Sequence, residues 1–479
     1  MAGETSNLSV ARMGTVHTQR DNKSIAVESK SRTSQYLRSV QRYVWDDPDK
    51  PRKEKWFLFK LDIFLLTISC LGYFSKNLDQ ANINNAYVSG MEEALHMGGS
   101  ELTYAGNVFT AGYVLGQLPA VILVTRVRPS ILIPTVEVLW SIFTFCSAAV
   151  KTTSQLYAVR FLVAICEGTY FPTIVYILGS WYTRSERGKR MTIFYATASF
   201  AGMFSGYLQA GAYRGLNGVF GHSGWQWLFI ICGVISLPIA ILGYFFYPDF
   251  PETTRAFYIT KEEADWAQKR LIADGMKPLG ASAWDRTKIF RIMSQWQFWV
   301  LPIGYFLVQG SYPNYQPVFA LWLKATGHTI YQINVWPTGQ YAISVVVQIL
   351  AGVLSDSPLL RGKRWQTLIA MQVPTIFGCI VLAVWDIPIG LKYTAYYLTF
   401  TCAGVPGIYY ACYIQSIWWT LTVWRTVLSP RFHAAFIGSA CLGVGLIMLA
   451  IILQFLQDRD EKIRALNTDT ESNEETSAV

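Results

Sequence analysis

The chain has 479 residues, of which 52% are hydrophobic and only 15% charged, and its mean hydropathy is +0.26. This composition is typical of an integral membrane protein. The net charge of +9 does not indicate a nucleic-acid partner, because its excess lies in the N-terminal tail and the short loops, where membrane topology explains it. The eight cysteines lie in or beside apolar segments and show no spacing typical of a disulfide framework or a zinc site.

The first 55 residues are rich in Ser, Thr, Arg and Lys and lack an apolar core, so they do not resemble a secretory signal. We expect residues 1–55 to form a disordered cytoplasmic tail. The first apolar segment then serves as the insertion signal.

Beyond the tail, apolar segments recur at a length that suits a hydrocarbon core about 30 Å thick. They are centred near residues 68, 113, 139, 168, 202, 236, 309, 342, 374 and 405, and a last segment runs from 434 to 456. We therefore expect an all-α membrane protein built of two six-helix halves. The predicted divisions are an N-terminal transmembrane half at 56–247, a cytoplasmic central loop at 248–296, a C-terminal transmembrane half at 297–457 and an acidic polar tail at 458–479.

Basic residues are concentrated in alternate loops. The even-to-odd loops carry Arg126, Arg128, Arg184, Arg187, Lys189, Arg190, Arg361, Lys363 and Arg364, whereas the odd-to-even loops carry mostly single residues, namely Lys151, Arg214, Lys324 and Lys392. Because basic residues are retained on the cytoplasmic side, the former loops and the N-terminal tail are predicted to be cytoplasmic.

The central loop contains the stretch TKEEADWAQKRLIADG. Thr260 and Glu263 have the spacing of a capping box, and Gly275 ends the pattern, so a short surface helix is predicted. We expect this helix to be a tether lying on the membrane rather than a regulatory site.

The stretch GYFSKNLDQANINNAY, residues 72–87, closes the first apolar segment with polar side chains. Asp79 and Asn82 share a helix face at i and i+3. With Lys76, Asn84 and Asn85, they are predicted to lie at the extracellular end of the first helix, to line the entrance of a cavity and to bind an anion or its proton. The alternative is that the helix has already left the membrane and that Lys76 and Asn85 are ordinary headgroup residues.

The fourth segment and its exit read RFLVAICEGTYFPTIVYILGSWYTRSERGKR. Arg160 and Glu167 are two helical turns apart and project from one face, about 10 Å from each other. Charges within a spanning helix are costly and face a cavity or a partner. Arg160 is predicted to attract an anion and Glu167 to carry a proton; a purely structural ion pair is the alternative.

This stretch, together with LDQANINNAYVSGMEEAL, WQWLFIICGVISLPIAILGYFFYPDFPETTR and LSDSPLLRGKRW, resembles the fungal anion:cation symporter family of the major facilitator superfamily, of the allantoate permease type and most similar to the pantothenate carriers. The resemblance covers about residues 55–457. It implies a twelve-helix fold that moves small organic anions with protons by alternating access. Carried over by position, Asp79, Asn82, Arg160, Glu167 and Tyr170 would line the central cavity. Many relatives have Arg where this chain has Gln80.

One loop resembles a cytoplasmic gate of the superfamily. GVLSDSPLLRGKRW places Asp356 ahead of Arg361 and Arg364, an acidic-then-basic order that would form an ion pair in one state and break it in the other.

The matching loop after the second segment, VILVTRVRPSILIP, has no Asp. Glu186, with Arg187 and Arg190, is predicted to compensate for it. The alternative is that this cluster in a turn is only a topology signal.

The region from 393 to 424 departs from the family pattern, because most of the eleventh helix is shortened or missing. As one helix it would be about 48 Å long, too long for a single span, whereas two spans with a turn need roughly 40 residues or more. The sequence does not decide between a long tilted helix and one span with a re-entrant stub. The missing part of the helix also leads to the hypothesis of a damaged carrier whose transport is weakened or abolished.

No phosphate-binding loop, metal spacing or other enzyme motif is present, so the chain is predicted not to be an enzyme and to need no cofactor. The expected partners are a small-molecule anion, protons and the lipid bilayer, with a monomer as the expected state. We expect proton-coupled import of pantothenate or a related vitamin carboxylate at the plasma membrane. The alternatives are efflux of a metabolite and a nutrient sensor that does not transport.

Overall fold

The structure is a computed structural model. It describes residues 50–275, 290, 293–294, 296–311, 317–355, 364–404 and 431–477. Every regular element in these ranges is a helix. Most of the N-terminal tail, part of the central loop and residues 405–430 lie outside the described residues. The last of these ranges includes most of the region predicted to hold a shortened eleventh helix.

The N-terminal half contains six long helices, as predicted. They are α1 (Arg52–Ala94), α2 (Glu101–Arg126), α3 (Pro129–Ala148), α4 (Thr153–Trp181), α5 (Arg184–Leu216) and α6 (Gly224–Phe246). Short 3-10 turns lie at Val219–Gly221 and Thr401–Gly404. The central-loop helix is α7 (Lys261–Ala273).

The helices of the C-terminal half are more interrupted. They are α8 (Trp296–Ser311), α9 (Val318–Ala325), α10 (Ile330–Val335), α11 (Thr338–Ser355), α12 (Arg364–Val384), α13 (Ile389–Leu398) and α14 (His433–Ser477). The predicted segments near 309, 342, 374 and 434–456 correspond to α8, α11, α12 and the first part of α14.

Seven helices in the described ranges are long and apolar enough to cross a membrane, by length and composition. They are α1, α2, α3, α4, α6, α12 and the part of α14 at His433–Leu453. Large apolar side chains such as Val234, Phe245 and Met448 are exposed on these helices. Such exposure is what a helix in contact with lipid requires.

Helix α1 is interrupted by two π turns, at Asp62–Leu66 and Tyr87–Met91. Within the second, Ser89 departs from helical geometry and Gly90 has φ 111°, a conformation that glycine adopts without steric cost. The stretch between them, Thr67–Ala86, carries the polar residues of the first segment.

Helices α2 and α4 pack backbone to backbone. A Cβ atom on Gly116 would collide with the carbonyl group of Ile165, and one on Gly168 would collide with the carbonyl group of Tyr113. Glycine at these two positions therefore permits the close approach, as small residues do between membrane helices. This contact fixes α2 beside the charged face of α4.

The central-loop helix α7 has the predicted capping box, in which the Glu263 backbone N–H donates to the Thr260 hydroxyl (3.3 Å). It is docked rather than free: Lys60 forms an ion pair with Glu263 (2.7 Å), and Arg270 forms one with Glu186 (3.0 Å). The helix therefore contacts α1 at Lys60 and α5 at Glu186, and its position on the membrane surface stays a prediction.

Candidate functional site

Three polar residues of α1 are buried inside the bundle. Lys76, Asp79 and Asn82 have only 3%, 4% and 0% of their surface exposed. Lys76 is therefore not an exposed headgroup residue, which was one of the two interpretations of its position. A buried charge within membrane helices is expensive and marks a functional position by default.

Arg160 and Glu167 lie on the face of α4 that is buried in the bundle. The Gln80 side-chain amide donates to Glu167 Oε2 (2.9 Å), so Gln80 of α1 contacts the acidic residue of α4. Glu167 Oε1 and Arg160 Nε are buried without a hydrogen-bond partner. An unpaired polar atom at this depth costs free energy unless a ligand satisfies it.

Both cations lie over aromatic rings of α2. The Arg160 guanidinium is 4.5 Å from the centroid of the Phe109 ring, and the Lys76 ammonium group is 4.8 Å from that of Tyr113. The Phe109 and Tyr113 rings stack on each other, one helical turn apart, with centroids separated by 6.1 Å. Helix α2 thereby holds two cations by their attraction to neighbouring ring faces.

Asp79 connects the cluster to α3. Its carboxylate accepts a hydrogen bond from the Thr144 hydroxyl. Arg160 interacts electrostatically with both Asp79 and Glu167, and Lys76 interacts with Glu167. Two cations and two carboxylates from α1 and α4 therefore form one group, which we call the charged cluster: Lys76, Asp79, Arg160 and Glu167.

Asn82 lies one turn beyond Asp79 and joins α1 to α5 and α6. Its amide donates to Cys232 Sγ (2.8 Å), and its carbonyl oxygen accepts from the Ser205 hydroxyl (2.8 Å). Asn85 donates to the same Ser205 oxygen (2.7 Å). Asn82 thus has protein partners on both sides of its amide.

Tyr170, the fifth predicted residue, belongs to a different group. Its hydroxyl donates to the backbone carbonyl of Ser69 (2.8 Å) and lies 3.0 Å from the Tyr247 hydroxyl. Tyr247 in turn donates to Glu137 Oε1 (3.3 Å). The partners of Tyr170 are therefore α1, the end of α6 and, through Tyr247, α3.

Glu137 was not singled out from the sequence. It is 1% exposed, and its Oε2 atom has no hydrogen-bond partner. A signal was available, since Glu137 is the one acidic residue of an otherwise apolar helix, PSILIPTVEVLWSIFTFCSA. A lone carboxyl group in such a segment is a functional candidate by the same argument that selected Glu167.

The predicted cytoplasmic gate is described only in part. Asp356 and Arg361 lie outside the described residues, as does the side chain of Arg364, whose backbone begins α12.

Arg190 forms a two-pronged ion pair with Asp62 of α1 (2.6 and 2.7 Å), a partner that the sequence did not indicate. Glu186 caps α5 by accepting from the Thr183 backbone N–H (3.1 Å) and pairs with Arg270. These two residues therefore bind α5 to α1 and α7.

Buried charges held between membrane-length helices define a multi-pass membrane protein with an internal polar site. The family model of the Major Facilitator Superfamily matches residues 69–423. The chain belongs to this superfamily; it is a membrane transporter and not an enzyme.

Relatives extend over most of the chain. It is 34% identical to the pantothenate transporter liz1 of Schizosaccharomyces pombe over 437 residues, which is 86% of this chain and 84% of that protein. It is 37% identical to the MFS transporter PfmaC of Pestalotiopsis fici over 368 residues, 76% of this chain and 68% of that protein. It is 30% identical to the vitamin H transporter of Saccharomyces cerevisiae over 465 residues, 90% of this chain and 78% of that protein.

A solved structure with the same fold is that of the proton:xylose symporter XylE bound to 6-bromo-6-deoxy-D-glucose. It has a TM-score of 0.57 and 13% identity and covers 85% of this chain and 90% of that one. The predicted major facilitator fold is therefore confirmed.

Proposed function

We propose that the protein imports a small organic anion together with protons, and that the substrate is pantothenate or a related vitamin carboxylate. The observation that carries this proposal is the buried Arg160 guanidinium, which interacts electrostatically with two carboxyl groups and has an unpaired Nε–H. A guanidinium is well suited to bind a carboxylate through charge-assisted hydrogen bonds. The names of the relatives from Schizosaccharomyces pombe and Saccharomyces cerevisiae support a vitamin as the substrate.

In this proposal Arg160 binds the carboxylate of the substrate. A proton taken up by Glu167 or Asp79 offsets the added negative charge, which is costly in a low-dielectric site. The two halves of the bundle then rock about the occupied site and expose it to the other side. Asn82 helps to line the site, and Tyr170 positions α4 against α1.

We place the chain in the anion:cation symporter family and in the plasma membrane, as a monomer. The sequence motifs around Arg160 and Glu167 support the family placement. We also propose that Asp356, Arg361 and Arg364 form a cytoplasmic gate. Glu186 and Arg190 belong to the same proposed gate.

The test is uptake of labelled pantothenate into cells that lack their own carrier and express the full chain, with its surface level measured. We expect accumulation at acidic external pH, little at neutral pH, and loss of accumulation when an uncoupler is added. Arg160→Gln should abolish accumulation at an unchanged surface level. If neither pantothenate nor biotin accumulates although the chain reaches the surface, the proposed substrate class is wrong.

A further inference from the structure

We propose that Lys76 is the second cation of the anion site and determines its specificity, so that a bound monocarboxylate lies between Lys76 and Arg160 and enters with one proton. This inference rests on the proposed function and deepens it. The sequence left Lys76 with two interpretations, and its partners only became visible in the folded chain.

Burial is the first observation. Lys76 is 3% exposed although lysine is among the residues that are almost never buried without a partner. It lies in the middle of Thr67–Ala86, where its side chain cannot reach the membrane surface as that of a helix-end lysine would. A buried ammonium group must therefore be stabilised inside the bundle.

The second observation is what surrounds it. The ammonium group lies 4.8 Å from the centroid of the Tyr113 ring and 5.4 Å from that of Tyr73, and it interacts electrostatically with Glu167. Ring faces attract a cation without neutralising it. The two ring contacts therefore leave the Lys76 ammonium group able to attract an anion.

The third observation is the stacked pair Phe109 and Tyr113. Each ring holds one cation, Arg160 on the first and Lys76 on the second. Because the rings are adjacent turns of one helix, the two cations are held side by side against α2. One of these two cations, Arg160, also has an unpaired Nε–H that can donate a hydrogen bond to a bound anion.

The charge balance gives the proton count. The charged cluster contains two cations and two carboxyl groups, so with both carboxyl groups ionised it is neutral. A monocarboxylate adds one negative charge, which a single proton on Glu167 removes. The proton binds from outside the cell to Glu167, whose Oε1 has no partner, and leaves to the cytoplasm with the substrate. The site returns to its starting charge, so transport is electroneutral.

Other ionisable groups near these residues do not alter this count. The titratable or charged groups facing Glu167 are Asp79, Lys76, Arg160 and Cys166, and those facing Lys76 are Tyr73, Tyr113 and Glu167. Thiol and phenol groups are neutral at physiological pH. The cluster therefore has four charge-bearing groups among the described residues.

The test compares pantothenate with pantothenol, the neutral analogue in which an alcohol replaces the carboxylate. Binding of both to the purified full chain is measured for the wild type, Lys76→Met and Lys76→Arg, with Lys151→Met in an exposed loop as the matched control. We expect Lys76→Met to lower the affinity for pantothenate by about tenfold or more and to change that for pantothenol far less. Lys76→Arg should keep most of the preference for the anion.

The outcomes are distinct. Equal loss of both ligands in Lys76→Met, or an unchanged preference for the anion, overturns the role of Lys76 and leaves the proposed function standing. A wild-type chain that binds neither pantothenate nor biotin overturns the proposed function and this inference with it. Retained binding of pantothenol by Lys76→Met shows that the variant is folded.

The proton count is tested in proteoliposomes. A pH gradient should drive accumulation, whereas a potassium diffusion potential of either sign at equal pH should not change the rate. Uptake driven by the potential alone would mean that net charge crosses the membrane, and the one-to-one count would then be wrong.

Discussion

Glu167 and Asp79 are acidic residues with different neighbours. Glu167 accepts from the Gln80 amide and keeps one oxygen unpaired, whereas Asp79 accepts from the Thr144 hydroxyl. The free oxygen makes Glu167 the better place for a proton that must bind and leave. Asp79 is better suited to stay ionised beside Arg160, with which it interacts electrostatically.

Glu167→Gln is therefore expected to remove the dependence of uptake on external pH while leaving substrate binding measurable. The amide preserves the shape of the side chain and removes its ability to exchange a proton. The measurement is uptake of labelled pantothenate at external pH values between about 5 and 8.

The control for this variant is Glu262→Gln, an exposed glutamate of α7 that lies outside the charged cluster. It should keep the pH dependence. If Glu167→Gln retains the wild-type pH profile, Glu167 is not the coupling residue.

The sequence identified Arg160, Glu167 and Asp79 because a charge is conspicuous within an apolar stretch. It did not identify the contact of Gln80 with Glu167 or the placement of Lys76 over Tyr113, because both depend on the relative rotation of helices that are far apart in the chain. Asp62, the partner of Arg190, was missed for the same reason. Periodicity shows which residues share a face, but not which face of another helix they meet.

At the scale of elements, the close contact between α2 and α4 sets the distance between the aromatic pair and Arg160. Glycine could serve at these positions either as a hinge or as a small residue that permits close packing. The collisions that a Cβ atom would cause at Gly116 and Gly168 favour packing.

Gly116→Ala is expected to destabilise the protein by about 1–3 kcal/mol, because the new methyl group would collide with a backbone carbonyl that cannot move freely. Gly106→Ala, in the same helix, is the matched control, since a Cβ atom there meets open space. Thermal unfolding of the purified variants measures the difference. Equal melting temperatures for the two would show that the α2–α4 contact is not tight.

The central-loop helix α7 is held by charge. Burial acts to raise the pKa of Glu263, but hydrogen bonds from Lys60 and from its own helix cap, together with the charge of Lys60, outweigh burial and lower this pKa. The ionised Glu263 therefore stabilises the docked helix at pH values above the ordinary pKa of a free glutamate. This stabilisation is lost as the pH falls through the lowered pKa of Glu263.

The protection factors of the α7 amides, which are corrected for the pH dependence of the chemical exchange rate, should accordingly be unchanged between about pH 6 and 8 and lower only near or below about pH 4. Glu263→Gln should speed exchange in α7 at neutral pH, and Glu262→Gln, the exposed neighbour, should not. Equal protection in the two variants would show that the Lys60 ion pair does not hold the helix.

At the scale of the whole transmembrane unit, the halves meet along α5 and α11 and at the end of α1 that is far from α7. Ser199 and Ser344 hydroxyls are 2.8 Å apart, and Asn334 donates to the Ser89 hydroxyl (2.9 Å). Lys324 pairs with Glu92 (2.6 Å) and Glu93 (2.9 Å). The contacts of Asn334 and Lys324 join the two halves at that end of the bundle, which the positive-inside pattern predicts to be extracellular.

Burial acts to lower the pKa of Lys324, but hydrogen bonds to Glu92 and Glu93 outweigh burial and raise it. The ion pairs are therefore fully present below the ordinary pKa of lysine and are lost only as the pH rises through the raised value. Acidic external pH does not discharge this lysine.

Lys324→Ala is expected to open this end of the bundle more often. Partly exposed pairs contribute about 1 kcal/mol or less, so the open population should rise by up to about fivefold. Labelling of Val88→Cys, a position that is 2% exposed, by an impermeant maleimide measures the opening. Lys151→Ala is the control, and an unchanged labelling rate in Lys324→Ala would contradict a closing role for Lys324.

The two π turns of α1 have a consequence for chain length. Each lets the helix accommodate an additional residue without breaking, and each residue along a helix rotates the next side chain by about 100°. Deleting one residue between Thr67 and Ser75, in the regular α-helical stretch where no π turn absorbs the change, would turn Lys76 and Asp79 away from α4 while leaving the apolar character of α1 nearly unchanged. The number of residues between positions 62 and 91 is therefore constrained more tightly than the identity of the side chains that face lipid.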